Sequence, residues 1–128
     1  VSAGLVADTS VWIDFFAGRG VPLLEEGLAV GSVVLAPIVL AELISGAHRE
    51  TDLDLLLELL DALPLHEAGR GHWIRVGRLR AGLAAAGIAV STPDAHVAQC
   101  ALDRGALLLT RDAVFARIAD HSELRLAE

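Results

Sequence analysis

The chain has 128 residues, enough for one domain with a real core, and 54% of them are hydrophobic. Its apolar runs are too short to span a bilayer, its single cysteine excludes an internal disulfide, and no targeting segment opens it, so a single domain over 1–128, resident in the cytoplasm, is expected. A formal net charge of −7 opposes non-specific nucleic-acid binding, and with Lys absent all ten basic residues are Arg.

Residues 4–7 form a short apolar run ending at Asp8, which reads as a buried strand. Thr9 or Ser10 is placed to cap a helix through Phe16, with Gly18 and Gly20 ending it. A second helix is predicted over 22–30, and a second strand over 32–36. Pro37 suits the first position of a helix running to about His48. Thr51 and Asp54 form a capping-box-like pair ahead of a Leu-rich helix over 53–60. Residues 63–65 are a weak third strand.

Residues 69–87 read as the longest helix. Trp73, Val76, Leu79 and Leu83 share one of its faces, Arg75 and Arg78 lie opposite, and Arg80 falls beside Trp73. Ser91 or Thr92 caps the next helix, with Pro93 at its first position, Asp94 in its first turn and Gly105 at its end. A strand over 106–109 delivers Thr110, Arg111 and Asp112. A helix over 113–119 and a last strand near 124–126 complete the chain. Alternating strands and helices predict a parallel sheet covered on both faces.

Four acidic residues stand where strand-like runs hand over to helices: Asp8, Glu42, Asp94 and Asp112. Open α/β sheets bind ligands at the carboxyl edge of their strands, which is where such positions gather. Each acid alone has a plain structural explanation. Asp8 and Asp112 could cap helices, Asp94 could complement a helix dipole, and Glu42 could carry its head to water along an apolar face. All four falling at one predicted edge shifts the balance. Two carboxylates about 4 Å apart repel by about 4 kcal/mol at an effective dielectric of about 20. Four of them call for a hard cation, Mg²⁺ or Mn²⁺, and so for metal-assisted phosphoryl chemistry.

The segment Asp8-Thr9-Ser10-Val11-Trp12-Ile13-Asp14 resembles the opening of PIN-domain ribonucleases, specifically the VapC-type toxins of bacterial toxin–antitoxin pairs. Ala41-Glu42-Leu43-Ile44-Ser45-Gly46-Ala47 is similar to their second motif, Asp94-Ala95-His96-Val97-Ala98 to the third, and Leu109-Thr110-Arg111-Asp112-Ala113-Val114-Phe115 to the fourth. Order, spacing and length agree over nearly the whole chain. His96 departs from the pattern, standing where the family usually has an apolar residue, as does Gln99 where a small one is usual. The resemblance implies a three-layer α/β/α sandwich with a mostly parallel five-stranded sheet, and a divalent metal held by Asp8, Glu42, Asp94 and Asp112. It also implies cleavage of RNA, such as transfer RNA or another structured RNA, and a VapB-type antitoxin as partner.

Other residues play smaller parts in this reading. Thr110 could hydrogen-bond a metal-bound water or the Asp8 side chain, or simply be a strand-end hydroxyl bonded to backbone, and Ser10 lacks an obvious base to make it a nucleophile. Arg111, Arg75 and Arg78 could meet RNA phosphates, although exposed Arg is usually only solvated. Asp14 reads as a surface residue. His48, His66, His72 and His121 show no metal-ligand spacing, which disfavours zinc, and Cys100 reads as a small core residue. Apolar faces that include Trp12, Phe15, Phe16 and residues 53–60 exceed what a small sheet must cover. Part of them is expected to meet a second copy of the chain in a homodimer and part the antitoxin.

Two other enzyme classes fit poorly. An aspartyl-phosphate phosphatase needs an acid where Ser10 stands and usually a Lys, and a receiver-type signalling domain fails on the same missing Lys. A binding module with a degenerate site is opposed by the four intact acids. The leading reading is therefore an endoribonuclease in which water attacks the phosphodiester, leaving a 5′-phosphate and a 3′-hydroxyl.

Overall fold

The computed structural model describes residues 4–47 and 49–128, so the helix end expected at His48 lies outside the described residues. Strand β1 (Leu5–Ala7) leads to α1 (Thr9–Phe16) and α2 (Pro22–Val30). Strand β2 (Val33–Val34) is followed by α3 (Pro37–Ser45), α4 (Glu50–Asp61), α5 (Arg70–Ala85) and α6 (Thr92–Arg104). Strand β3 (Leu107–Leu109), α7 (Val114–Asp120) and β4 (Arg125–Leu126) end the chain. The sheet runs β2-β1-β3-β4 with every pair parallel. Leu5 pairs with Val33 on one side and Leu107 on the other, so β1 is central and wholly buried. Helices flank the sheet, α2 against β1 and β2, and α6 against β1 and β3, as a three-layer α/β/α sandwich requires.

The expected fifth strand is reduced to one parallel bridge between Leu35 and Leu65, so the sheet has four strands among the described residues. The Leu35 N–H donates to Pro64 O at 2.8 Å and the His66 N–H to Leu35 O at 2.9 Å. Pro64 itself has no N–H to carry the ladder further.

Two glycines shape the layers. Gly31 ends α2 in a left-handed conformation at φ 72°. Gly27 lies where α2 meets the sheet. A Cβ there would come within 3.0 Å of Val33 Cγ2 and 3.1 Å of Leu5 Cδ2. The core is filled by Trp12, Leu24, Leu35, Leu83, Leu108, Phe115 and Ile118, all essentially without solvent exposure. Trp12 is therefore interior rather than part of an outward apolar face.

Two further expectations are corrected. No capping box forms at Thr51 and Asp54, because α4 already begins at Glu50 after Arg49, whose side chain makes no capping bond. The inward face of α5 runs through His72, Val76 and Leu83, while Trp73 is 42% exposed. Both faces have helical spacing, and a buried His can take the inner one only with hydrogen-bond partners, which the sequence pattern does not reveal. No helix among the described residues is long and apolar enough to cross a membrane.

Candidate active site

Each of the four acids comes from a different element: Asp8 follows β1, Asp112 follows β3, Glu42 lies on α3 and Asp94 on α6. Asp8 follows β1 directly, and its N–H donates to Leu109 O at 3.1 Å, tying it to the end of β3. It is also the N-cap of α1, a role expected of Thr9 or Ser10. Its Oδ1 accepts from Val11 N–H at 3.3 Å and from the Ser10 hydroxyl at 2.6 Å, and its Oδ2 accepts a short hydrogen bond from Thr110. Three donors thus fix a carboxylate that is only 6% exposed. This is the arrangement a buried anion needs.

Thr110 does two things at once. Its hydroxyl donates to Asp8 and accepts from the Asp112 N–H at 3.0 Å, which locks the loop after β3 to the loop after β1. Asp112 Oδ1 in turn accepts from Val114 N–H at 3.0 Å at the start of α7. Glu42 projects from α3 and accepts from the Thr9 hydroxyl at 2.6 Å. Thr9 is a contact the sequence did not single out beyond capping. Asp94 sits in the first turn of α6, whose N-cap is Ser91 as expected, with Pro93 one position later than anticipated.

The electrostatics show the four acids to be close enough to feel one another's charge. Burial pushes the Asp94 carboxyl above its ordinary value, and the neighbouring Asp112, Asp8 and Glu42 charges push it further the same way, against a lowering hydrogen bond from Ser91. Among the described residues, none of the ion pairs includes Asp8, Glu42, Asp94 or Asp112. The set is therefore all oxygen, anionic and without a protein cation. That is the donor chemistry of a hard divalent ion. Its oxygens are spread more widely than a closed cage. Among the described residues, the group of His, Cys, Asp or Glu whose ligand atoms lie within 4.8 Å of one another is a different one, His66, His72 and Cys100. Like charges sharing an edge repel, so such side chains relax apart.

The Arg candidates divide. Arg111 sits at the rim, its Nε donating to Asp14 Oδ2 at 3.0 Å, and Asp14 also accepts from Arg19 at 2.7 Å. Asp14 is thus half-buried and holds two cations, where a plain surface residue was expected. Those bonds, Arg19's first, keep its carboxyl below the ordinary value. Arg75 is not offered to a phosphate. Its guanidinium grips Asp103 through two bonds at 2.7 and 3.0 Å. Asp103 lies nine residues along α6 from Asp94, roughly 13 Å away at the helical rise. Arg78 is exposed on α5, and Arg80 donates to Val90 O at 2.8 Å.

An apolar cleft adjoins the acidic edge. Ile13, Phe16, Leu43, Leu55 and Leu56 line it, with Glu42 on its wall. Ile13, Phe16 and Leu55 are 53%, 42% and 68% exposed.

A parallel α/β domain that gathers carboxylates from two strand ends and two helices, Asp8 and Asp112 after β1 and β3 and Glu42 and Asp94 on α3 and α6, is the class that this geometry defines. The PIN domain family model matches residues 5–121, and the chain belongs to that family. A chain of DNA-bound VapBC from Salmonella typhimurium is 25% identical, with 97% of this chain and 96% of that one covered and a TM-score of 0.77. A chain of VapBC2 from Rickettsia felis, bound to a DNA fragment from its promoter, is 20% identical over 96% of each chain, with a TM-score of 0.78. A chain of VapBC-5 from Mycobacterium tuberculosis, a member of the VapBC family of toxin–antitoxin systems, is 23% identical over 98% of each, with a TM-score of 0.69. No curated protein sequence matches the chain at a significant level. The resemblance carried by the four sequence motifs is borne out at the level of fold and family.

Proposed function

We propose that this chain is the toxin of a VapBC-type pair and a metal-dependent endoribonuclease. PIN domains are generally nucleases, and the solved structures it resembles are toxin–antitoxin complexes. The observation that carries the reading is the uncompensated four-carboxylate set. Burial and three like charges act on Asp94 together, and no Arg neutralises any member. Asp8, Glu42, Asp94 and Asp112 would hold Mg²⁺, with Mn²⁺ as a substitute. The ion would supply activation of water and neutralisation of the phosphodiester's charge.

The chain's own residues do the positioning. Asp8 is clamped by Ser10, Val11 and Thr110, so its oxygens keep their aim as a ligand comes and goes. Thr9 holds Glu42 in register with the Asp8 loop. Arg111, tethered to Asp14 at the rim, is the cation best placed to meet a substrate phosphate.

Neutralisation follows from the same geometry. An antitoxin helix with an apolar face fits the cleft of Ile13, Phe16, Leu55 and Leu56, and would bring an Arg within reach of Glu42 and the other acids. The test is cleavage of labelled RNA by purified protein, with Mg²⁺, with EDTA, and with Mn²⁺ restored after EDTA. Cleavage should require the ion and disappear in Asp94→Asn. EDTA-resistant cleavage, or full activity in Asp94→Asn, would refute the reading.

A further inference from the structure

Away from the acidic edge, a second group of polar side chains is packed into the seam between α5, α6 and the segment after Leu65. His66, His72 and His96 are buried at 6%, 2% and 0% exposure, and Cys100 is fully buried beside them. Asp103 joins the group from the next turn of α6, with Gln99 and Arg75 on its other oxygen. The proposed nuclease reaction uses none of these residues.

Their hydrogen bonds run in one direction. Asp103 Oδ2 lies 2.6 Å from His72 Nδ1 and 3.3 Å from His66 Nε2, and as a carboxylate it accepts from both. His72 Nε2 is then an acceptor, facing His96 Nδ1 at 2.7 Å. His96 Nε2 is left to accept from the Ile38 N–H at 3.4 Å, with the Cys100 sulfur at 3.6 Å. Trp73 stacks on His96 with ring centroids 4.7 Å apart.

The geometry points to a second metal site, for a borderline cation such as Zn²⁺, built from His66, His72 and Cys100 with Asp103 as the fourth ligand. Ligand atoms of the first three already lie within 4.8 Å of one another, and Asp103, outside that group, meets both histidines through Oδ2 and would close on the ion from their side. In a tetrahedral zinc site with bonds of about 2.0 Å to nitrogen, ligand atoms sit about 3.3 Å apart. His66 Nε2 and Asp103 Oδ2 stand at that separation, 3.3 Å. His72 Nδ1 is closer to Asp103, at 2.6 Å, because a proton now sits between them.

Binding moves protons in a way the network accommodates. Zn²⁺ on His72 Nδ1 and His66 Nε2 displaces both protons: His72 carries its hydrogen on Nε2 and donates to His96 Nδ1, and His66 carries its own on Nδ1, from which the exposed Arg104 guanidinium, 3.5 Å away, turns aside to solvent. His96 then carries its own on Nε2, aimed at the Cys100 sulfur, and the Ile38 N–H gives up its 3.4 Å bond to that nitrogen. The thiol releases one proton to solvent and becomes the thiolate ligand, with the hydrogen bond from His96 supporting it. The outer shell that a metal site requires is thus present as His96 on one side and Arg75 with Gln99 on the other. The charges also balance. The thiolate and Asp103 neutralise the ion, and Arg75 remains at the solvent edge. Asp103 and Arg104 line an open cleft, which gives the ion a way in.

This donor set differs from the acidic edge in softness. Thiolate and imidazole select Zn²⁺ or Co²⁺ over Mg²⁺. The sequence pattern spoke against zinc because no two of these ligands stand at a recognisable spacing. The fold brings them together from three separate segments.

The test is a Co²⁺ titration of the EDTA-treated, dialysed full chain, followed by optical spectroscopy. It is repeated in the Asp8→Asn/Asp94→Asn double variant so that the acidic edge cannot contribute. One equivalent should give tetrahedral visible bands and a thiolate-to-cobalt charge-transfer band in the near ultraviolet, and Zn²⁺ should bleach both. Cys100 is the chain's only cysteine, so the charge-transfer band reports this site without any variant of it. His96→Gln should weaken Co²⁺ and Zn²⁺ binding by about 10–100-fold, the usual effect of removing an outer-shell partner. Cys100→Ser should abolish the charge-transfer band. A wild-type chain with no such band, or a band lost in the double variant, would overturn the proposal. Neither result would touch the Mg²⁺ nuclease reading, which stands or falls on RNA cleavage.

Discussion

Asp8 and Asp94 look alike in sequence and are held quite differently. Asp8 receives three hydrogen bonds, whereas the pKa of Asp94 is raised by burial and by Asp112, Asp8 and Glu42. A carboxyl whose folded pKa is raised binds its proton more tightly when folded. Its charge therefore penalises the fold at neutral pH, and the penalty fades as the pH falls through the raised value towards the ordinary 3.8. Asp94→Asn should raise the melting temperature of the metal-free protein at pH 7 and lose that advantage near pH 3.8, while RNA cleavage falls about 100-fold or more. Thermal melts over that pH range check the first part; an Asp94→Asn chain no more stable than wild type at pH 7 would contradict it. Thr110→Val tests the clamp. It removes the hydroxyl that donates to Asp8 and accepts from the Asp112 N–H. Stability should fall by only about 1 kcal/mol, since the Asp112 N–H can turn to water, but cleavage should fall much further because Asp8 loses its fixed orientation. Equal, small losses in both would show that Thr110 is only a strand-end hydroxyl.

Elements with strong local signals were legible: β1 and β3 as apolar runs, α6 closed by Gly105, and Ser91 as a cap. Asp8, Asp94 and Asp112 stood out because each adjoins such a boundary, whereas Glu42 lies inside α3 and stood out through its motif. What the sequence hid was set by partners distant along the chain. His72 takes the inner face of α5 because Asp103 and His96 satisfy both of its nitrogens, and Pro64 limits the fifth strand to a bridge. The packing of α2 supplies one prediction at this scale. Gly27→Val would drive a branched side chain into Val33 and Leu5, and should cost about 1–3 kcal/mol as overpacking, read as a lower urea midpoint. The α5–α6 seam supplies another. Burial holds His66 and His96 below the ordinary histidine value, His96 at about 4. The unfolded chain therefore takes up protons first as the pH falls below about 6.5. Stability is fully present above that value and is lost between it and about 4. Burial alone would raise Asp103, but its bonds from Arg75, Gln99 and His72 outweigh that and hold it low, so it stays charged throughout this window. The urea midpoint of wild type should drop from pH 7 to pH 5, and more steeply than that of His66→Gln. Parallel profiles would mean that His66 contributes nothing to the acid sensitivity.

Over the whole molecule, the acidic edge and an apolar cleft meet at Glu42. The formal charge of −7 means that long-range attraction favours a cationic partner over RNA. On the proposed function, RNA would be recruited locally, by metal and by rim residues such as Arg111, while an Arg-bearing antitoxin would be drawn in by the field and held by apolar contact. The two partners should then be separable by mutation. Leu55 stands 68% exposed on α4 and Phe16 42% exposed on α1, on the cleft's lining and distinct from the carboxylates. Leu55→Glu or Phe16→Glu should weaken antitoxin binding by about 30-fold or more, the scale of losing a buried apolar anchor of about 2 kcal/mol. Mg²⁺-dependent RNA cleavage by the free toxin should change little. If a second copy of the chain also uses this cleft, the same variants should shift the sedimentation of the isolated protein towards monomer. Calorimetry with the co-expressed antitoxin, cleavage assays and sedimentation on one set of variants decide the matter. Undiminished antitoxin affinity in both variants would place the docking surface elsewhere. Parallel loss of affinity and cleavage in well-folded protein would mean that RNA and antitoxin share this cleft.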